Sequence, residues 1–222
     1  MGPETTSKFY LELIFSCQKK NKIHRPSILV YSVPITYRTE TNDILKVTLN
    51  KSEYTKLLVG AAKRLERGGA DFLVMPCNSL HFFIDKIRKS VNIPVLSIIE
   101  ETVKFLKKER VSKVGVVSTL ITRKYGLYEN ALNARGIKVI VPSSFQQAKI
   151  NKIVLNLTLN KYRNKDKNEL LGIINDLGKK GVDHIVLACT DLQLLITRHS
   201  RLKIYDTMKI FADVTVREIL KD

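Results

Sequence analysis

The sequence predicts an α/β fold built from two doubly wound parallel-sheet domains, related by pseudo-twofold symmetry and facing each other across a cleft. Three observations predict it. Short β-branched runs alternate with longer amphipathic stretches along the chain. A segment of the first half repeats in the second at a constant offset of 112 residues. The 222 residues, 44% hydrophobic and 27% charged, are enough for one large domain or two small ones with a real core.

The elements follow in order. The first amphipathic stretch, which carries Cys17, reads as a helix. Residues 28–33, 72–76, 95–98, 114–118, 138–141 and 184–188 read as strands. They are short, apolar on both faces and bounded by polar residues or Gly, as a parallel sheet covered by helices requires. Helical periods fall at 52–66, 80–90, 100–108, 123–134, 168–179 and 208–220. The polar stretch 150–167, around LTLNKYRNKDKN, reads as a helix followed by a surface loop.

The repeat aligns LERGGADFLVMPCNSL (65–80) with LGKKGVDHIVLACTDL (177–192). Each copy ends a helix at Gly, runs a strand, and places a Cys at the strand's carboxyl end. Open α/β sheets bind ligands outside the carboxyl ends of their strands, so two facing halves would present Cys77 and Cys189 from opposite sides of one cleft. A weaker echo relates IPVLSII (93–99) to LKIYDTM (202–208), with Tyr205-Asp206 matching Leu96-Ser97. The expected division is therefore 1–108 plus 206–222 for the first domain and 109–205 for the second.

Composition narrows the function. With 38 Lys and Arg against 21 Asp and Glu, the net charge is 38 − 21 = +17, which suits nucleic acid or an anionic substrate. The basic residues are mostly Lys and are spread over the whole chain, and no zinc finger, RNP-like strand or GXXG loop accompanies them. A solvated, Lys-rich surface is the reading preferred over a nucleic-acid stripe. No apolar run approaches the ~18 residues of a membrane span, and no signal-peptide pattern opens the chain, so it reads as cytoplasmic. Three cysteines without CxxC exclude a disulfide framework and an ordinary structural zinc site.

The cysteine pair carries chemistry. Asn78-Ser79 follows Cys77 and Thr190-Asp191 follows Cys189, and these residue types open helices. A thiol at such a helix start is expected to have its pKa lowered from about 8.5, with the free N–H groups there binding carboxylates. Two thiols and two anion sites in one cleft suit proton exchange at a carbon beside a carboxylate, one thiolate removing the α-proton and the other thiol delivering one to the opposite face. The sulfurs should then lie roughly 7 Å apart, beyond disulfide reach. Cys17, alone on its helix, reads as a core residue. His81, one helical turn after Cys77, reads as orienting the helix or loop there; C-x₃-H without a second local ligand pair does not make a zinc site.

With MPCNSLH, ACTDL and the opening MGPETT, the chain resembles the aspartate/glutamate racemase family over nearly its whole length. The resemblance implies catalysis without pyridoxal phosphate, metal or other cofactor, a small acidic amino acid as substrate, and a homodimer. It implies that Cys77 and Cys189 are the catalytic acid/bases and that Asn78, Ser79 and Thr190 bind the α-carboxylate and amine region. Thr119 and Thr122, in STLIT, resemble a Thr-containing loop of the same cleft. Arg38, in VPITYRTETNDIL, resembles the Arg that grips a side-chain carboxylate, a task its bidentate fork suits. The sequence departs from the pattern with Ser79 for Thr, Ala188 for Gly and Asp191 for Glu. Where aspartate racemases place a Lys, Thr158 stands here, with Lys161 one turn later.

Relatives also begin with an IGILGG-like strand before MGPETT. The expectation is that Met1 is an internal residue of a GGMGP loop, the rival being a shortened protein. The alternatives within the superfamily are a hydantoin racemase or maleate isomerase, which share both cysteines; a decarboxylase relative needs only one. Outside enzymes, the alternative is a basic nucleic-acid-binding or catalytically dead scaffold.

Overall fold

The structure, a computed structural model, describes residues 3–20, 24–46 and 48–221. In chain order it runs α1 (Pro3–Lys20), α2 (Tyr37–Lys46), α3 (Lys51–Arg67), a 3₁₀ turn (Ser79–Phe83), α4 (Ile84–Arg88), α5 (Ile98–Lys108), β1 (Lys113–Ser118), α6 (Leu120–Lys124) and α7 (Leu127–Asn133). It continues through β2 (Lys138–Ile140), α8 (Ser144–Thr158), α9 (Asn164–Lys179), β3 (His184–Ala188), a second 3₁₀ turn (Leu192–Leu194), β4 (Lys203–Asp206) and α10 (Thr207–Ile219).

The four strands form one parallel sheet in the order β2-β1-β3-β4. The two central strands, KVGVVS and HIVLA, are buried along almost their whole length, the pattern of a sheet covered on both faces. Gly115 permits that packing, since a Cβ there would lie 2.7 Å from Cδ1 of Ile185 on the neighbouring strand. Helices α8 and α9 cover one face through Ile150, Ile153, Leu170 and Ile174. The other face packs on α1, α5, α7 and α10, where Phe9 stacks on Phe211 with ring centroids 5.9 Å apart. A third core joins α3 to the segment from Leu73 to Ile87.

The first half carries a reduced version of the same arrangement. Leu73 and Val95 form a single parallel bridge. Leu73 precedes Ile185 by 112 residues and Val95 precedes Ile204 by 109, and Ile185 and Ile204 are paired in the β3–β4 ladder. Ser97 caps α5 by accepting from the Glu100 N–H, and Asp206 caps α10 by accepting from Met208 and Lys209. Both caps stand at matching places in the repeat.

Several expectations are corrected. Residues 28–33 lie in no strand, and Leu29 and Val30 are exposed. Residues 72–76 and 95–98 keep only the one bridge, and Ile98 already belongs to α5. Extended chain becomes strand only beside a partner, and among the described residues no second neighbour pairs with these segments. The expected helix 123–134 is broken at Gly126, whose φ of +59° turns the chain between α6 and α7. The 80–90 helix begins as a 3₁₀ turn. The expected surface loop after 150 is short, because α9 starts at Asn164. Helix α2 and strand β4 were not expected; α2 lies in the polar segment around Arg38, and β4 at one edge of the sheet.

Candidate active site

Both repeat cysteines line one cavity of about 90 Å³. The loops after residue 76 and after β3 bring Cys77, Asn78, Ser79, Cys189, Thr190 and Asp191 to it. The start of α6 adds Thr119, Leu120 and Ile121; α8 adds Asn151, Val154 and Thr158 from one face. Glu40, Asp43 and Ile44 of α2 and Tyr54 of α3 close the remaining wall. Both thiols are free, Cys189 buried and Cys77 half-buried.

His81 shapes the Cys77 loop. The Ile98 N–H donates to Nε2 of His81 at 3.1 Å, so Nε2 carries no proton. Nδ1 therefore holds the hydrogen and donates to the Cys77 carbonyl at 2.7 Å. The ring thus ties the Cys77 loop to the first turn of α5. Burial depresses its pKa to about 4, with the Cys77 hydrogen bond opposing and the Arg88 charge adding. At the matching place in the second half, 112 residues on, Gln193 donates to the Thr190 carbonyl at 2.7 Å. Two different side chains hold the two equivalent loops.

The expected lowering of the thiol pKa is corrected at Cys189. Burial pushes that thiol up, and the Asp191 and Cys77 charges add to the rise. The N–H groups of Asp191 and Leu192 pull the other way and do not win. The expected helices after the two cysteines are 3₁₀ turns of five and three residues, and neither Asn78 nor Asp191 caps its turn with a side chain. So short an element carries little macrodipole.

Those two side chains make other contacts. Asn78 receives the Tyr128 hydroxyl at 2.6 Å and donates to Thr207 at 3.1 Å. Asp191 accepts from Thr5 of α1. Ser79, Thr119 and Thr122 gather into a cluster of hydroxyls, mutually 2.9–3.1 Å apart, that joins the two halves of the repeat. Ser79 and Thr119 face the cavity, while Thr122 stands behind them, fully buried. Thr190 lines the cavity beside the Pro76 carbonyl.

Arg38 is not brought in: its side chain is exposed on the first turn of α2, outside the residues lining the cavity. Once residues 37–46 are helical, residues 40, 43 and 44 share a face, and it is that face which closes the cavity. Asp43 is buried there and accepts from the Tyr54 hydroxyl at 2.6 Å. Burial raises its pKa against that hydrogen bond, and the charges of Glu53 and Glu40 add to the rise.

The sequence reading also missed Thr5, Asp43, Tyr54 and Asn151. For Asn151 a signal existed, since residues 151, 154 and 158 share one helical face. Asn151 Oδ1 accepts from the Leu120 N–H at 3.1 Å and from Gln147 at 3.3 Å, so its Nδ2 is the end that can donate to a ligand. Among the described residues no helix is long and apolar enough to cross a membrane.

Residues 1–215 match the family model for Asp/Glu/Hydantoin racemase. The chain is 28% identical over 225 residues to the broad specificity amino-acid racemase RacX of Bacillus subtilis (strain 168), covering 99% of this chain and 95% of the relative. Among solved structures it is similar to the Picrophilus torridus aspartate racemase, with a TM-score of 0.82, 23% identity, and 100% and 92% of the two chains covered. An aspartate racemase homologue from Pyrococcus horikoshii OT3 superposes with a TM-score of 0.79 at 24% identity, covering 99% and 95%. At that identity the two structures establish a shared parallel-sheet α/β fold.

Proposed function

The chain belongs to the Asp/Glu/Hydantoin racemase family and is an isomerase acting on amino acids, and from that premise we propose that it inverts their α-carbon with Cys77 and Cys189 as paired acid and base. The observation that carries the reading is the cavity shared by both free thiols, one from each copy of the repeat. In one direction the Cys77 thiolate takes the α-proton, leaving an electron pair on the α-carbon. The Cys189 thiol then gives its proton to the opposite face. Cys77 ends as thiol and Cys189 as thiolate, the state required for the reverse direction. Burial of Cys189 suits the donor role, since a desolvated thiol keeps its proton until a carbanion demands it. Pyridoxal phosphate and metal have no part in this scheme.

Asn151, Thr119 and Ser79 offer donors for the α-carboxylate, and Asp191 beside Cys189 offers an acceptor for the ammonium. The division into 1–108 plus 206–222 and 109–205 is kept, supported by the packing of α10 on α1 and α5. The homodimer is kept as well, and sedimentation tests it.

Aspartate and glutamate are the substrates that the sequence resemblance implies. A second reading is favoured by one observation: Asp43 and Asp191 line the cavity, and no Lys or Arg is among the described residues that line it. A carboxylate side chain would meet like charge there, whereas an uncharged or cationic one would not. The test follows α-proton exchange and inversion in D₂O by NMR, under reducing conditions, for aspartate, glutamate, serine, glutamine and lysine. Loss of inversion in both Cys77→Ser and Cys189→Ser supports the two-thiol reaction. Retained inversion in either variant, or silence of the parent chain on every substrate, overturns it.

A further inference from the structure

The two thiols stand on loops that are held unequally. Cys189 follows a strand paired on both sides, whereas among the described residues the segment leading to Cys77 has the single bridge at Leu73. Two-base inversion needs both sulfurs placed against opposite faces of one carbon, and a misplacement of about 1 Å can cost about 100-fold in rate. Something beyond the ladder must therefore register the Cys77 loop against β3.

A chain of buried hydrogen bonds does so, and its direction is forced. Leu187 carbonyl can only accept, and Thr207 Oγ1 donates its one proton there at 2.9 Å. Thr207 must therefore accept from Asn78, which places Nδ2 of the carboxamide toward Thr207 at 3.1 Å. Asn78 Oδ1 then faces Tyr128, whose hydroxyl donates to it at 2.6 Å. Tyr128 and Thr207 are fully buried and Asn78 nearly so. Burial keeps bulk solvent from these links, so each group depends on its neighbour. The chain starts on α7, passes through the residue after Cys77, and ends two residues before Cys189.

Resting on the two-thiol reading, we infer that Tyr128 is a positioning residue for the reaction: it locks the Asn78 amide and thereby sets the Cys77 loop against the strand end that carries Cys189. It touches no substrate and is not among the residues lining the cavity. Removing its hydroxyl leaves the buried Asn78 Oδ1 without its donor, so the carboxamide is held from its Nδ2 end alone, and one thiol is loosened relative to the other.

The experiment compares Tyr128→Phe, Thr207→Val and Thr207→Ser with the parent in D₂O, on whichever amino acid the parent inverts. Two products are counted by NMR and chiral chromatography: α-deuterated substrate of retained configuration, and α-deuterated substrate of inverted configuration. A thiol that takes the proton can exchange it and return a deuteron to the same face, so loosening the pair favours retention over inversion. Tyr128→Phe is expected to slow inversion about 10- to 100-fold while the ratio of retained to inverted product rises several-fold. Thr207→Val should do the same, and Thr207→Ser, which keeps the hydroxyl, should restore the parent ratio.

A merely structural role would lower the folded fraction and slow both products alike, leaving the ratio unmoved. An unchanged ratio in folded Tyr128→Phe overturns the inference. Should Tyr128→Phe fail to fold, the Thr207 pair carries the same decision. A parent chain that neither exchanges nor inverts overturns the two-thiol reading itself, a result distinct from an active parent whose ratio ignores Tyr128.

Discussion

Replacing His81 by Gln tests how the Cys77 loop is held. The perturbation copies the molecule's own second half, where Gln193 occupies the matching position and donates to the Thr190 carbonyl. The introduced carboxamide can likewise donate to the Cys77 carbonyl, but it does not titrate. In the parent, His81 has a folded pKa of about 4 against an ordinary 6.5. Its folded value lies below its unfolded one, so the stability it contributes is full above pH 6.5 and is lost as pH falls toward 4. Working from those two values, the parent loses about 2 kcal/mol by pH 5 and about 3 kcal/mol by pH 4 relative to a chain without the imidazole.

The assay is urea denaturation of both proteins at pH 7.5, 6 and 5. Other titrating groups are common to both, so they cancel in the difference of differences. With a slope of about 2.5 kcal/mol/M, the parent's midpoint should fall about 0.8 M further than that of His81→Gln between pH 7.5 and 5. Parallel pH profiles for the two proteins would refute the reasoning, since the ring would then be neither buried as a base nor required to stay neutral.

Two further predictions concern the caps. Burial raises Asp206 from 3.8 to about 6, against the pull of the Met208 and Lys209 N–H groups. Its folded pKa lies above the unfolded one, so stability is fullest below pH 3.8 and declines as pH rises through 6. Asp206→Asn keeps the capping oxygen, and should melt higher than the parent at pH 7.5, by up to about 3 kcal/mol, with the gap closing near pH 4; thermal melts at both pH values check it. Ser97→Ala removes the acceptor for the Glu100 N–H at the start of α5 and should cost about 1 kcal/mol, read as a melting point about 2–4 °C lower.

Much of this molecule is legible in its sequence, and the legible part is local. The strands at 113–118 and 184–188 declare themselves by β-branched runs buried on both faces. The repeat assigns Cys77 and Cys189 to matching places and pairs Ser97 with Asp206, which the structure then shows to be helix caps. Within each strand and each copy of the repeat, the reading rests on residues a few positions apart, where backbone periodicity and side-chain type decide the outcome.

The electrostatics and hydrogen-bond polarity of the cavity are not local. Cys189 reads as a thiol at a helix start, whose pKa should fall; in the folded chain its burial, with the charges of Asp191 and Cys77 added, raises it. Asn78 reads as a helix opener, yet Tyr128, 50 residues on, and Thr207, 129 residues on, take both ends of its amide. Arg38 reads as a carboxylate clamp, but the helical turn of α2 leaves it exposed and presents Glu40 and Asp43 to the cavity instead. Desolvation depends on everything that excludes water from a group, and a hydrogen bond's direction depends on what its partner has already donated. Both are properties of the packed assembly of distant segments, and they come into being only when the chain folds.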